Sequence, residues 1–280
     1  MAFIRSSAAA TVRTRTGTPT PTGVPVVVAH RGHSTAAPEN TLPAFAAAAA
    51  AGAGMIETDV RLTSDGTAVL LHDATLGRTT NLRGRVDRTP ADKLAGADAG
   101  SWFSCRYRSV PPPTVGDLTA FLGEYPTLGL LLEFKGEWAP RQVEPVADAL
   151  WAGGLSGRTL VQAFSRRTLA ALALAAPDFP RGLLVSRIRP GRGGEGALLR
   201  FLSRVEAAAC NPGGELLRRA PALPGRLRAE GMRLYPWTLD RPAQWRDALA
   251  AGADGIITNR PGELAAWRNA RAENWTAGPI

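Results

Sequence analysis

Apolar residues in this chain fall into short β-type runs that alternate with alanine- and leucine-rich stretches of helical length. The runs VPVVVAH (24–30), GMIETDV (54–60), LGLLLEF (128–134), TLVQAF (159–164), GLLVS (182–186), VEAAAC (205–210), MRLYPW (232–237) and DGIIT (254–258) predict strands. Helices are predicted between most of them, over 40–52, 114–124, 140–152, 166–176, 195–203, 213–229 and 241–251. Strands that alternate with helices pair in parallel, and eight such units close a (β/α)8 barrel. The expected fold class is therefore α/β.

One segment breaks the alternation. A further β-like run, 67–72, follows the second strand too soon for a parallel crossover, so the two must form an antiparallel hairpin. Asp65-Gly66 suits a two-residue turn. That turn pairs Ser64 with Thr67 and places His72 opposite Asp59; a slip of one residue on each arm places it opposite Glu57. Either register sets the imidazole against a carboxylate on one face, because strand side chains alternate. Residues 74–113, rich in Gly, Pro and Arg, then predict an irregular insertion, so 67–113 reads as hairpin arm plus insertion after strand two.

At 280 residues and 45% hydrophobic, the chain can bury a substantial core, and a single barrel of this length is ordinary. No apolar run approaches the roughly 18 residues that span a bilayer, so no stable membrane insertion is expected. Residues 1–23 lack the continuous apolar stretch of a secretory signal and read as a flexible basic tail. The barrel is expected over 24–267, with a C-terminal tail over 268–280. Cys105 and Cys210 lie far apart in no metal-type spacing, which points to a reduced, cytoplasmic setting. The net charge of +9 raises the possibility of a nucleic-acid partner. The arginines are scattered, with no aromatic interleaving or recognition-helix pattern, and that class is set aside. Only Lys93 and Lys135 are lysines, against 31 arginines. A retained Lys in such a chain has a reason, because a compact ammonium and a planar fork are not interchangeable. Nothing in the pattern specifies an oligomeric state.

The chemistry gathers at strand ends, where a parallel barrel builds its active site. His30-Arg31 ends the first strand, Glu57-Thr58-Asp59 the second, and Glu133-Phe134-Lys135 the third. Glu57 and Asp59 share a face, as do Glu133 and Lys135. Carboxylates at this density repel one another unless a cation sits among them, and hard divalent ions such as Mg²⁺ or Ca²⁺ take oxygen ligands of this kind. Arg31 and Lys135 would add positive charge suited to a phosphate. His30 and His72 would serve proton transfer, their ordinary pKa lying nearest neutrality. His33 is assigned to the loop, and Asn40 or Thr41 to capping the helix that follows. Together these parts describe metal-assisted cleavage of a phosphate ester.

The ordered set AHRGHSTAAPENTLPAF, GMIETDVRLTSDGTAVLLHDATLGRTTN, LLLEFKG, YPWTLD and ADGIITNRP resembles the glycerophosphodiester phosphodiesterase family over residues 25–262. The resemblance implies a TIM barrel with a small insertion after strand two. It also implies hydrolysis of glycerophosphodiesters to glycerol 3-phosphate and an alcohol, with a divalent cation. By motif, His30 and His72 match the family's acid–base pair, Glu57, Asp59 and Glu133 its metal ligands, Arg31 and Lys135 its phosphate contacts, and Trp237 the glycerol side of the pocket. Three positions depart from the family pattern. Asn259 stands where Asp is usual, Asp240 where Asn is common after the Trp-Thr pair, and Ala163-Phe164-Ser165 replaces Ser-Phe-Asp. Two competing readings remain. A related barrel phosphodiesterase for lysophospholipids or phosphoinositides would need an apolar rim, which Trp102, Phe103 and Tyr107 could supply. A non-catalytic phosphate- or metal-binding barrel would have no use for two titratable histidines.

Overall fold

The computed structural model describes residues 24–188 and 194–275; the expected basic tail, 1–23, lies outside them, as do 189–193 and 276–280. Along the chain run β1 (Val26–His30), α1 (Leu42–Ala50), β2 (Met55–Leu62), β3 (Ala68–Leu70), α2 (Ala91–Ala95), α3 (Val115–Glu124), β4 (Gly129–Phe134), α4 (Pro140–Ala152), β5 (Thr159–Ala163) and α5 (Arg166–Ala175). They are followed by β6 (Arg181–Val185), α6 (Gly194–Arg204), β7 (Ala209–Pro212), α7 (Gly214–Arg219), α8 (Leu223–Ala229), α9 (Pro242–Ala250), β8 (Gly255–Thr258) and α10 (Pro261–Trp275). The parallel strands pair in the order β7–β6–β5–β4–β2–β1–β8, and β3 pairs antiparallel on β2. This is the expected (β/α)8 barrel. Several helices begin where the side chain of Thr41, Thr114 or Ser165 accepts a first-turn N–H.

The eighth stave is the expected 232–237 run, but it forms no continuous ladder. It meets β7 only through isolated bridges, Ala209–Arg233 and Gly213–Trp237. Backbone bonds still close the barrel: Arg233 N donates to Ala208 O at 2.9 Å, and on the other side Ile257 N donates to Pro236 O at 3.0 Å. Pro236 has no N–H to give towards β8, and Pro212 in β7 has none to give towards the stave, which interrupts both ladders.

Other boundaries move for equally local reasons. The strand expected over 205–210 lies at Ala209–Pro212, because α6 runs to Arg204 and Glu206 turns the chain at φ 47. The single helix expected over 213–229 is two, α7 and α8, parted at Ala220, whose following residue Pro221 disfavours helical backbone before it. The expected tail over 268–280 is helical as far as Trp275. Buried Leu264 and Ala265, with Trp267 edge-on to Trp245 at 5.6 Å, dock that helix on the barrel. Among the described residues, no helix is long and apolar enough to cross a membrane.

Inside the barrel, Val28, Leu131, Leu160, Ala209, Tyr235 and Ile257 pack into one apolar layer. Two residues further along the same staves come His30, Glu133, Gln162, Asn211, Trp237 and Asn259. Because strand side chains repeat on one face every second residue, this second set stacks on the first towards the carboxyl ends. The apolar layer is the floor of the site.

Candidate active site

β1 and the turn after it bring in the first groups. Arg31 sits at φ 58 and Gly32 at φ 82, and a side chain at position 32 would run into the Ala44 backbone at 2.7 Å. This tight turn lets the Arg31 N–H donate to Glu57 Oε2 at 3.1 Å and its guanidinium bond Glu39 Oε1 at 2.8 Å. Arg31 Nε lies 3.4 Å from Asp59 Oδ2.

β2 and β4 carry the acids. His30 pairs with Glu57 and Asp59 with Glu133 in parallel register, so adjacent staves place the carboxylates side by side. Ligand oxygens of Glu57, Asp59 and Glu133 all lie within 4.8 Å of one another, and all three residues are buried. Lys135 reaches back over them, Nζ 2.8 Å from Glu133 Oε1 and 3.3 Å from Asp59 Oδ1. Burial and the neighbouring carboxylates push Glu57 and Glu133 above the usual carboxyl range. Burial works the same way on Asp59, yet Lys135 and Arg31 hold it below that range.

His72 arrives by a route the two expected registers do not describe. The hairpin pairs Val60 with Leu70 and Leu62 with Ala68, one residue off either expectation, so Leu71 and not His72 stands across from Asp59. The loop has three residues, Ser64-Asp65-Gly66, with Gly66 at φ 83 and Thr63 N donating to Thr67 O at 3.0 Å. β3 ends at Leu70, and Arg61 grips the His72 carbonyl with Nε and Nη2 at 2.9 and 2.6 Å. The imidazole thereby lines the same cavity as His30, Arg31, Glu57, Glu133 and Lys135.

Both imidazoles are anchored through Nδ1. His30 Nδ1 lies 2.7 Å from Asn259 Oδ1, and His72 Nδ1 lies 2.6 Å from Asp73 Oδ1. Each leaves Nε2 free of that partner; His30 Nε2 stands 4.0 Å from Glu57 Oε2. Burial and the Arg31 charge push His30 down to about 4; burial also lowers His72, with Asp59 opposing.

Several residues carry the site without having been singled out. Asn40, at φ 56, does not cap α1; Thr41 does. Asn40 Nδ2 donates to Asp59 Oδ2 at 2.9 Å, and its Oδ1 accepts from Thr58 Oγ1 at 2.7 Å. Glu39 joins Arg31 to Arg78, and Arg78 Nε donates to Asp73 Oδ2 at 2.6 Å, which links the first loop to the His72 arm. Across the barrel, Asn211 Nδ2 donates to Gln162 Oε1 at 2.8 Å, and Gln162 Nε2 to Glu57 Oε1 at 3.4 Å. A polar residue two steps beyond an apolar inward one, as Gln162 beyond Leu160, is the signal that marks this layer. Trp237 lines the cavity, its Nε1 donating to Asn211 O at 2.7 Å and its ring edge-on to Phe164 at 5.2 Å. Trp102, Phe103 and Tyr107 pack on each other, and none lines the cavity. His33 stays in the loop, its carbonyl accepting from Ala36 and Ala37.

The cavity is small, about 130 Å³, with both charges and an aromatic wall. Comparison with known proteins agrees with its chemistry. Residues 30–263 match the family model described as the glycerophosphoryl diester phosphodiesterase family. A glycerophosphodiester phosphodiesterase of Caldanaerobacter subterraneus is 32% identical over 243 residues, covering 85% of this chain and 96% of its own. A glycerophosphodiester phosphodiesterase structure from Agrobacterium tumefaciens superposes with a TM-score of 0.73 at 28% identity, covering 86% and 99% of the two chains. An Oleispira antarctica phosphodiesterase solved with sn-glycerol-3-phosphate gives a TM-score of 0.75 at 26% identity, covering 88% and 97%. The chain therefore belongs to the glycerophosphoryl diester phosphodiesterase family and is an enzyme of that class.

Proposed function

We propose that this chain hydrolyses glycerophosphodiesters to glycerol 3-phosphate and an alcohol, with Mg²⁺ or Ca²⁺ held by Glu57, Asp59 and Glu133. The observation that carries the reading is the convergence of three buried carboxylates within 4.8 Å of one another, in a cavity lined by two imidazoles. The donor set fits a hard cation. It is all oxygen, Asp59 Oδ1 is buried and faces the Lys135 ammonium at 3.3 Å, and a cation would offset the carboxylate repulsion that adds to burial in pushing Glu57 and Glu133 up. When bound, the ion supplies Lewis-acid polarisation of the phosphoryl oxygens.

Arg31 and Lys135 bind the phosphoryl group beside the acids. With neutral imidazoles, three carboxylates against these two cations leave one negative charge unbalanced. A divalent ion reverses that to one positive charge, the complement of a phosphodiester. His30 and His72 form the acid–base pair: with Nδ1 tied to an oxygen, Nε2 is the atom that takes or gives a proton at the ester. Trp237 lines the glycerol side of the pocket. The product held by the Oleispira relative supports the same substrate class. Cys105 and Cys210 are both free thiols, which fits a reducing, cytoplasmic setting.

The test is purified protein with glycerophosphocholine. Glycerol 3-phosphate release is expected, abolished by EDTA and restored by Mg²⁺ or Ca²⁺. No release in Mg²⁺, Mn²⁺ or Ca²⁺ overturns the reading.

A further inference from the structure

The two departures noted near the end of the chain, Asp240 and Asn259, touch each other. Asn259 Nδ2 donates to Asp240 Oδ2 at 2.7 Å, and Asp240 Oδ1 accepts from Asn259 N at 2.8 Å and Thr258 Oγ1 at 2.9 Å. On its far side, Asn259 Oδ1 faces His30 Nδ1 at 2.7 Å and accepts from Ser34 Oγ at 3.0 Å. An amide side chain has one donor end and one acceptor end, and rotation by half a turn exchanges them. A carboxylate can only accept, so Asp240 requires the NH₂ end and the amide oxygen must point at His30.

We propose that Asp240 is a positioning residue that acts through Asn259 to hold His30 in its Nδ1–H form, keeping the Nε2 lone pair towards the cavity. An amide oxygen accepts and cannot donate, so the ring nitrogen facing it carries the proton. The imidazole's other nitrogen is then left to accept. Asp240 sits two links from the ring and is not among the residues that line the cavity, yet its charge selects which His30 nitrogen is available.

This geometry makes the single and double changes differ. Asp240→Asn keeps the Oδ1 acceptor for Thr258 Oγ1 and Asn259 N but turns a second NH₂ towards Asn259. The Asn259 amide escapes that clash by flipping, which presents a donor to His30 Nδ1 and favours the Nε2–H form. Asn259→Asp alone sets two carboxylates against each other. The double change Asp240→Asn with Asn259→Asp satisfies every donor again.

Nitrogen-15 histidine NMR tests this directly, because the chain has only three histidines. The His30 resonance, assigned by a His30→Ala variant, is expected as Nδ1–H in the wild type, shifted towards Nε2–H in Asp240→Asn, and returned to Nδ1–H in the double variant. With glycerophosphocholine, kcat should fall about 10- to 100-fold in Asp240→Asn with little change in KM, and recover to within about threefold of wild type in the double variant. An unchanged His30 tautomer in Asp240→Asn overturns the proposal, as does a double variant no better than the singles. If Asp240→Asn does not fold, the double variant decides. It must fold with Nδ1–H, and Asp240→Ala, which frees the Asn259 amide to turn, must lose the pure Nδ1–H form; pure Nδ1–H in Asp240→Ala ends the proposal. The kinetic arm rests on the role proposed for His30 and the tautomer arm does not, so the two fail separately.

Discussion

The rim of this barrel divides into two arcs built alike and charged differently. On β1, β2 and β4 the residues above the apolar floor are His30, Glu57, Asp59 and Glu133, with Arg31 and Lys135 beside them. On β5, β7 and the 232–237 stave they are Gln162, Asn211 and Trp237, all neutral. His30 and Glu133 on the first arc, and Gln162, Asn211 and Trp237 on the second, each stand two residues beyond the same floor. The difference shows a division of labour. The charged arc concentrates groups that burial penalises, and Glu57 and Glu133 are pushed up as a result. The neutral arc adds direction without adding charge: Asn211 holds Gln162, and Gln162 holds Glu57.

Four substitutions test that division, taken from the largest effect on turnover. Glu57→Gln or Glu133→Gln should abolish metal-dependent turnover, beyond the roughly 100-fold typical of a supporting residue. Activity within a factor of two of wild type would remove either from the ligand set. Next, His72→Ala should lower kcat by about 10²- to 10⁴-fold while the circular dichroism spectrum stays native. Loss of the native spectrum instead would make His72 part of the frame that Arg61 and Asp73 hold. The smallest effect belongs to the neutral arc. Gln162→Leu should weaken metal affinity, measured by calorimetry, by about 10-fold, since Glu57 keeps its charge but loses a guide. Affinity unchanged there, or lost as fully as in Glu57→Gln, would erase the contrast between the arcs.

The charged arc was largely legible in the sequence, and the neutral arc was not. Glu57 and Asp59 are two residues apart on one strand, so strand periodicity alone sets them on one face. Gln162 meets Glu57 across 105 residues, a neighbourhood that exists only once β2, β4 and β5 are in register. Asn40 looked like a candidate helix cap, and the cap is its neighbour Thr41; Asn40's partner Asp59, like Glu39's partner Arg78, belongs to another element. The hairpin register was off by one because Asp-Gly suits both a two-residue turn and a three-residue loop closed by a left-handed glycine.

The sequence by itself determined the count and order of the staves, the faces they turn inward, and which groups stand at the carboxyl ends. Those follow from a period of two and from which side chains are apolar, both local properties. Only the tertiary structure decided that Pro236 breaks a ladder without opening the barrel, that the chain's last helix docks through Trp267, and that Asp240, Asn259 and His30 form one line. Hydrogen bonds and Coulomb energies depend on distance in space, and spacing along the chain says little about that distance until the barrel closes.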